Sequence, residues 1–89
     1  MPNRRVYIQN KLGLHARASA RLVSTASRYA SEITLSKDEI EVNAKSIMGI
    51  MMLAASKGTE MLIEVEGTDE AEAAAALIDL INSRFGEDE

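Results

Sequence analysis

From Glu60 to Glu66 the chain alternates: Met61, Ile63 and Val65 fall between Glu60, Leu62, Glu64 and Glu66. A period of two puts the apolar side chains on one face of a strand and, Leu62 apart, acids on the other. A sheet made of such strands is covered on one face only, which antiparallel pairing permits. Three other stretches follow the same rule. Arg5–Gln9 turns Val6 and Ile8 inward. Ile33 and Leu35 alternate with Glu32, Thr34 and Ser36. Ile40 and Val42 alternate with Glu41 and Asn43. The polar turn Lys37-Asp38-Glu39 makes the last two an antiparallel hairpin.

Helices must cover the apolar face. The first is predicted from Ala16 to about Tyr29, with Ser19, Leu22, Val23, Ala26, Tyr29 and Ala30 inside and Arg17, Arg21, Ser24 and Arg28 outside. Ser46 is a good N-cap for a short helix from Ile47 to about Ala54. This one is apolar on both sides: Ile50 and Leu53 lie opposite Ile47, Met48, Met51 and Met52. A sheet buries only one side, so the other is covered by a further element or left for a partner. The last helix is capped by Thr68 or Asp69, with capping-box spacing in Asp69-Glu70-Ala71-Glu72. Its inner stripe is Ala73, Ala74, Leu77, Ile78, Ile81 and Phe85, with Arg84 in its last turn and Gly86 at C′. Glu87-Asp88-Glu89 is expected to fray. The order β-α-β-β-α-β-α gives an α/β fold of the α+β two-layer type: a four-stranded antiparallel sheet with three helices on one face. Order alone leaves the strand neighbours open.

At 89 residues the chain makes one domain, 1–89, and the absence of cysteine removes disulfides and thiolate metal sites. No apolar run has the length of a membrane span and no basic-plus-apolar leader is present, so a soluble, cytoplasmic protein is the expectation, with monomer as the default. Charge is unevenly spread. Arg4, Arg5, Lys11, Arg17, Arg21 and Arg28 precede Ala30 with no acid among them, whereas Arg84 is the only basic residue from Glu60 onward. A basic face near the first helix attracts acidic proteins or phosphates. The net charge of −4 and the lack of aromatics among the basic residues argue against nucleic acid.

The only histidine, His15, stands at the N-cap of the first helix, in Gly13-Leu14-His15-Ala16-Arg17. Backbone N–H groups at a helix start have no helical partner, and the dipole favours an anion there. The same field disfavours an imidazolium and leaves a neutral, nucleophilic ring. The backbone at Ala16 and Arg17 would hold a phosphate, with the Arg17 guanidinium beside it. Arg17 opposes the dipole, so it lowers stability unless an anion arrives. Gly13 lets the loop fold back without a Cβ in the way. Position alone also fits an incidental cap or surface histidine. A metal site is disfavoured because one histidine with no nearby acid has too few ligands. A serine hydrolase lacks its G-x-S-x-G elbow.

Gly13-Leu14-His15-Ala16-Arg17 resembles the active-site signature of the HPr-type phosphocarriers of the bacterial phosphotransferase system. Asn43-Ala44-Lys45-Ser46-Ile47-Met48-Gly49 resembles that family's second signature, at the family's spacing. The resemblance covers the whole chain. It implies a phosphoryl carrier that is not itself an enzyme and needs no cofactor. His15 would accept the group on Nδ1 from an enzyme I-type, phosphoenolpyruvate-dependent donor, Arg17 would hold it, and an enzyme IIA-type partner would take it, in sugar uptake or in nitrogen or carbon regulation. Ile47, Met48 and Met51, with the basic stripe including Arg21, would dock partners. Ser46 would be open to an HPr kinase as well as serving as N-cap. The family's usual proline after the arginine is Ala18 here, which removes no chemical group. The competing reading is a regulatory module that binds proteins through Ile47–Met52, with phosphorylation as a signal.

Overall fold

The computed structural model describes residues 3–89. The strands are β1 (Asn3–Tyr7), β2 (Glu32–Lys37), β3 (Ile40–Asn43) and β4 (Glu60–Glu66), and the helices α1 (Ala16–Ala26), α2 (Ile47–Met52) and α3 (Glu70–Asn82). All pairings are antiparallel, in the spatial order β1-β4-β2-β3. The alternating strand of the sequence is thus a central one, flanked by β1 and β2. Its register sets Met61 against Val6, Ile63 against Leu35 and Val65 against Ile33. These six residues are buried and form one face. On the other face Glu32 sits opposite Glu66, and Glu64 opposite Thr34, so that face is acidic, and no helix among the described residues covers it.

The helices close the inner face. α3 packs on β4 and β1, α2 on β3, and α1 against both other helices. Ala18, Leu22 and Ala26 of α1, Ile50 of α2, and Ala73, Ala74, Leu77 and Ile81 of α3 are buried there. The alanines let backbones approach, and each large aliphatic contributes about 1.5–3 kcal/mol by leaving water.

Element ends depart from the sequence reading. β1 starts earlier than expected, although Ile8 continues its ladder through Ile8 N–H to the Thr59 carbonyl at 3.0 Å. α1 stops at Ala26, not near Tyr29. Arg28 and Tyr29 bond three residues back instead of four, which tightens the chain into turns and leaves Ala30 exposed. α2 stops at Met52, because Ala54 adopts a left-handed φ of 51°. α3 stops at Asn82. Arg84, Phe85 and Gly86 all have positive φ and make a reverse turn, so neither Arg84 nor Phe85 belongs to the helix. Left-handed backbone costs about 1–2 kcal/mol for a residue with a side chain. Phe85 is 1% exposed, and its burial offsets that cost.

Asp69 occupies the N-cap position of α3, but its carboxylate makes no cap bond. It accepts from Ala30 N–H at 2.8 Å, Ser31 N–H at 3.0 Å and the Ser31 hydroxyl. The expected box is replaced by Glu70, whose Oε1 accepts from Gly67 N–H at 3.1 Å. Hydrogen bonds from Ser31, then from the Ala30 backbone, hold the Asp69 carboxyl below the usual carboxylate range.

Candidate functional site

The loop from Asn10 to Leu14 carries His15 to the start of α1. Asn10 is fully buried and donates from Nδ2 to the Gly13 carbonyl at 2.8 Å, while Gly13 N–H returns to the Asn10 carbonyl at 3.2 Å. Leu14 N–H bonds the Ala55 carbonyl at 2.9 Å. Gly13 has φ +68°, and a Cβ there would lie 2.4 Å from the Ala55 oxygen. The requirement for glycine at this position is therefore twofold, and it ties the loop to the segment leaving α2.

His15 is the N-cap residue, with extended backbone and no side-chain cap bond. No acid stands in the first turn of α1. Arg17 is exposed, and its side chain has no hydrogen-bond or ion-pair partner among the described residues. Ser19, fully buried, sends its hydroxyl to the Leu14 carbonyl at 3.1 Å and fixes the loop against the helix. An anion arriving at this helix start meets unpartnered backbone N–H groups at Ala16 and Arg17 and a free guanidinium.

Two expectations fail here. Glu87 is not frayed, and the histidine does have an acid beside it. Glu87 Oε2 lies 2.5 Å from His15 Nε2, and Glu87 Oε1 accepts from Asn10 Nδ2 at 2.9 Å. Arg21 Nη1 donates to the Phe85 carbonyl, Lys11 N–H donates to the Glu89 carbonyl at 2.5 Å, and Lys11 Nζ pairs with Glu89 at 3.4 Å. Burial resists ionisation of Glu87. The hydrogen bonds from Asn10 and His15, and the charges of His15 and Arg21, outweigh it and hold its carboxyl below the ordinary range. A shallow depression is lined by Lys11, Leu12, His15, Arg17, Glu87 and Glu89. Its charge is mixed, not purely basic.

Ser46 caps α2 as read from the sequence, its Oγ accepting from Gly49 N–H at 3.1 Å. Ile50 and Leu53 are buried, whereas Ile47, Met48, Met51 and Met52 are exposed, Met48 at 73%. No other element among the described residues covers that side. Arg17, Arg21 and Arg28 are all exposed, with Arg21 also tied to the turn at Phe85.

Asn10, Leu12 and Glu87 join the site without standing in either sequence motif. Leu12 had a signal, a large apolar residue in a loop with no inward face, and it is 69% exposed beside His15. Asn10 and Glu87 had none, since their meeting depends on the reversal at Arg84–Gly86. Among the described residues no helix is long and apolar enough to cross a membrane.

A family model described as the PTS HPr component phosphorylation site matches residues 2–83. Phosphocarrier protein HPr of Neisseria meningitidis serogroup A is 58% identical over 84 residues, covering 94% of each chain. A crystal structure of HPr-C-His from Thermoanaerobacter tengcongensis superposes with a TM-score of 0.96 at 52% identity, covering 100% of both chains. A crystal structure of an HPr dimer from the same organism gives 0.79 at 53% identity, covering 98% of this chain and 100% of that one.

Proposed function

The chain belongs to the HPr family, the phosphocarrier proteins of the phosphotransferase system, and from that premise we propose that its phosphoryl acceptor is His15. Members of this family are not enzymes. They carry phosphoryl groups between enzyme I and enzyme II components. The observation that supports His15 is its place at an uncapped helix start, with the free Arg17 in the first turn. The lone pair of Nδ1 attacks the phosphorus on the donor. The N–P bond forms as the donor's bond to phosphorus breaks, and the new negative oxygens meet the N–H groups of Ala16 and Arg17 and the Arg17 guanidinium. The transfer then runs in the same way to an enzyme IIA-type acceptor.

Partner docking falls to the exposed side of α2, at Ile47, Met48 and Met51, with Arg21 on α1 facing acidic partner surfaces. Flexible methionines suit a surface that fits several proteins in turn. Ser46 borders this surface. A phosphate on it from an HPr kinase would set charge against the docking side chains and slow both exchanges. In this reading residues 1–89 act as one domain, as a cytoplasmic monomer.

The test is incubation with enzyme I and phosphoenolpyruvate, followed by intact mass and acid treatment. One acid-labile phosphoryl group is expected on the protein and none on His15→Ala. An adduct that survives acid, or one that persists in His15→Ala, rejects the assignment.

A further inference from the structure

We propose that Glu87 is a positioning residue for the imidazole: its carboxylate accepts the Nε2 proton of His15 and so leaves the unprotonated Nδ1 to take the phosphoryl group. The inference rests on the reading of His15 as acceptor. It concerns a residue outside positions 2–83, the part of the chain matched by the family model.

The contact is built from several sides. Nε2 and Oε2 are 2.5 Å apart, and the second carboxylate oxygen is fixed by Asn10 at 2.9 Å. Asn10 is fully buried and is itself anchored at Gly13, so the carboxylate is oriented from inside the fold. The Glu87 side chain is only 15% exposed. Buried Phe85, the Arg21 bond to its carbonyl and the Lys11 bond to the Glu89 carbonyl hold the segment on both sides of Glu87.

A neutral imidazole has one proton, and whichever nitrogen lacks it is the nucleophile. A carboxylate at Nε2 draws the proton there. When Nδ1 bonds to phosphorus, the Nε2 proton stays and the ring becomes cationic while the electron pair of the broken bond leaves with the donor. Glu87 then faces that positive charge. Lys11, Arg17 and Glu89 also line the depression, and the Arg21 charge acts on Glu87, but none of them is bonded to the ring.

The experiment records ring nitrogen signals of His15 by nitrogen-15 NMR on the unphosphorylated protein, and the rate of phosphoryl acceptance from enzyme I. At neutral pH the unaltered protein should show the proton on Nε2. Glu87→Ala should shift the signals toward those of an unrestrained histidine and slow acceptance about tenfold, the scale of a misplaced reacting group. Removal of residues 87–89 should reproduce both effects, and Asp88→Ala, an exposed neighbour, should cause neither. Unchanged ring signals or an unchanged rate in Glu87→Ala overturns the proposal. Failure of the acceptor assignment is visible separately, as phosphorylation of His15→Ala, because the ring signals are read before any phosphoryl group is present.

Discussion

Helix α3 begins with Glu70 and Glu72 in its first turn, and Glu70 reaches back to the Gly67 amide. Helix α1 begins with no acid, with Arg17 in that turn and with an N-cap histidine whose ring bonds to Glu87 and not to the helix. Both helices present the same unpartnered N–H groups and the same end of a dipole. α3 meets the dipole with acids from its own first turn, which stabilise it by about 0.3–1 kcal/mol each. α1 does the opposite and carries a similar penalty at Arg17. The difference separates a helix start that its own acids stabilise from one whose charge would favour an anion.

Giving α1 the electrostatics of α3 should have the largest effect. Arg17→Glu should slow phosphoryl acceptance by at least about tenfold, while leaving stability unchanged or raising it by up to about 1 kcal/mol. Steady-state transfer and thermal melting measure the two sides, and an unchanged rate removes Arg17 from the site. The reverse case is Asp69→Ala, which deletes three hydrogen bonds between α3 and the start of β2. The melting temperature should fall further than for any other substitution named here, with no change in phosphoryl acceptance. The sign with pH follows from the depressed carboxyl. Its folded value lies below its unfolded one, so its contribution is complete above the unfolded carboxylate range and is lost as pH falls through the folded value. Asp69→Ala should therefore flatten the acid limb of a melting profile, and an equally steep limb would contradict it.

Two smaller effects sharpen the contrast. Ser46→Ala removes the cap of α2 and should cost about 1 kcal/mol, or ~4–8 °C in a domain of this size, without altering His15 chemistry. Met48→Glu should change stability by less than about 0.5 kcal/mol, yet weaken binding to enzyme I, measured by titration calorimetry. If it unfolds the protein instead, Met48 is core and the docking surface lies elsewhere.

Much of this was legible in the residues. The alternation at Met61, Ile63 and Val65 marked β4, and the two-sided apolar character of Ile47–Met52 announced a surface with no cover. His15 at a helix start followed from the helical spacing of Ser19, Leu22, Val23 and Ala26 behind it. What escaped depended on distant parts meeting. Strand order is decided by how the connections cross, so β4 gave no sign of lying between β1 and β2. Ala54, Arg84 and Phe85 take left-handed backbone without being glycine. At Phe85 tertiary burial overrides local preference, and helical periodicity carries α2 and α3 past these turns. Asp69 looked like a cap because local spacing suggested one, but Ser31 competes for its carboxylate. Glu87 lies 72 positions from His15, and no local pattern links them.

The reversal at Arg84–Gly86 has a practical corollary. β1 runs from Asn3 toward the loop that carries His15, so Asn3 lies at the end of the strand away from the ring. Glu89 is tied to Lys11 in that loop. Whatever is joined after Glu89, whether a purification tag, a fluorescent reporter or more polypeptide, emerges beside the imidazole, while a fusion ahead of β1 is carried at a distance. Labels meant to follow phosphoryl traffic without disturbing it belong before the first strand, and a probe meant to sense the state of His15 belongs beside Glu89.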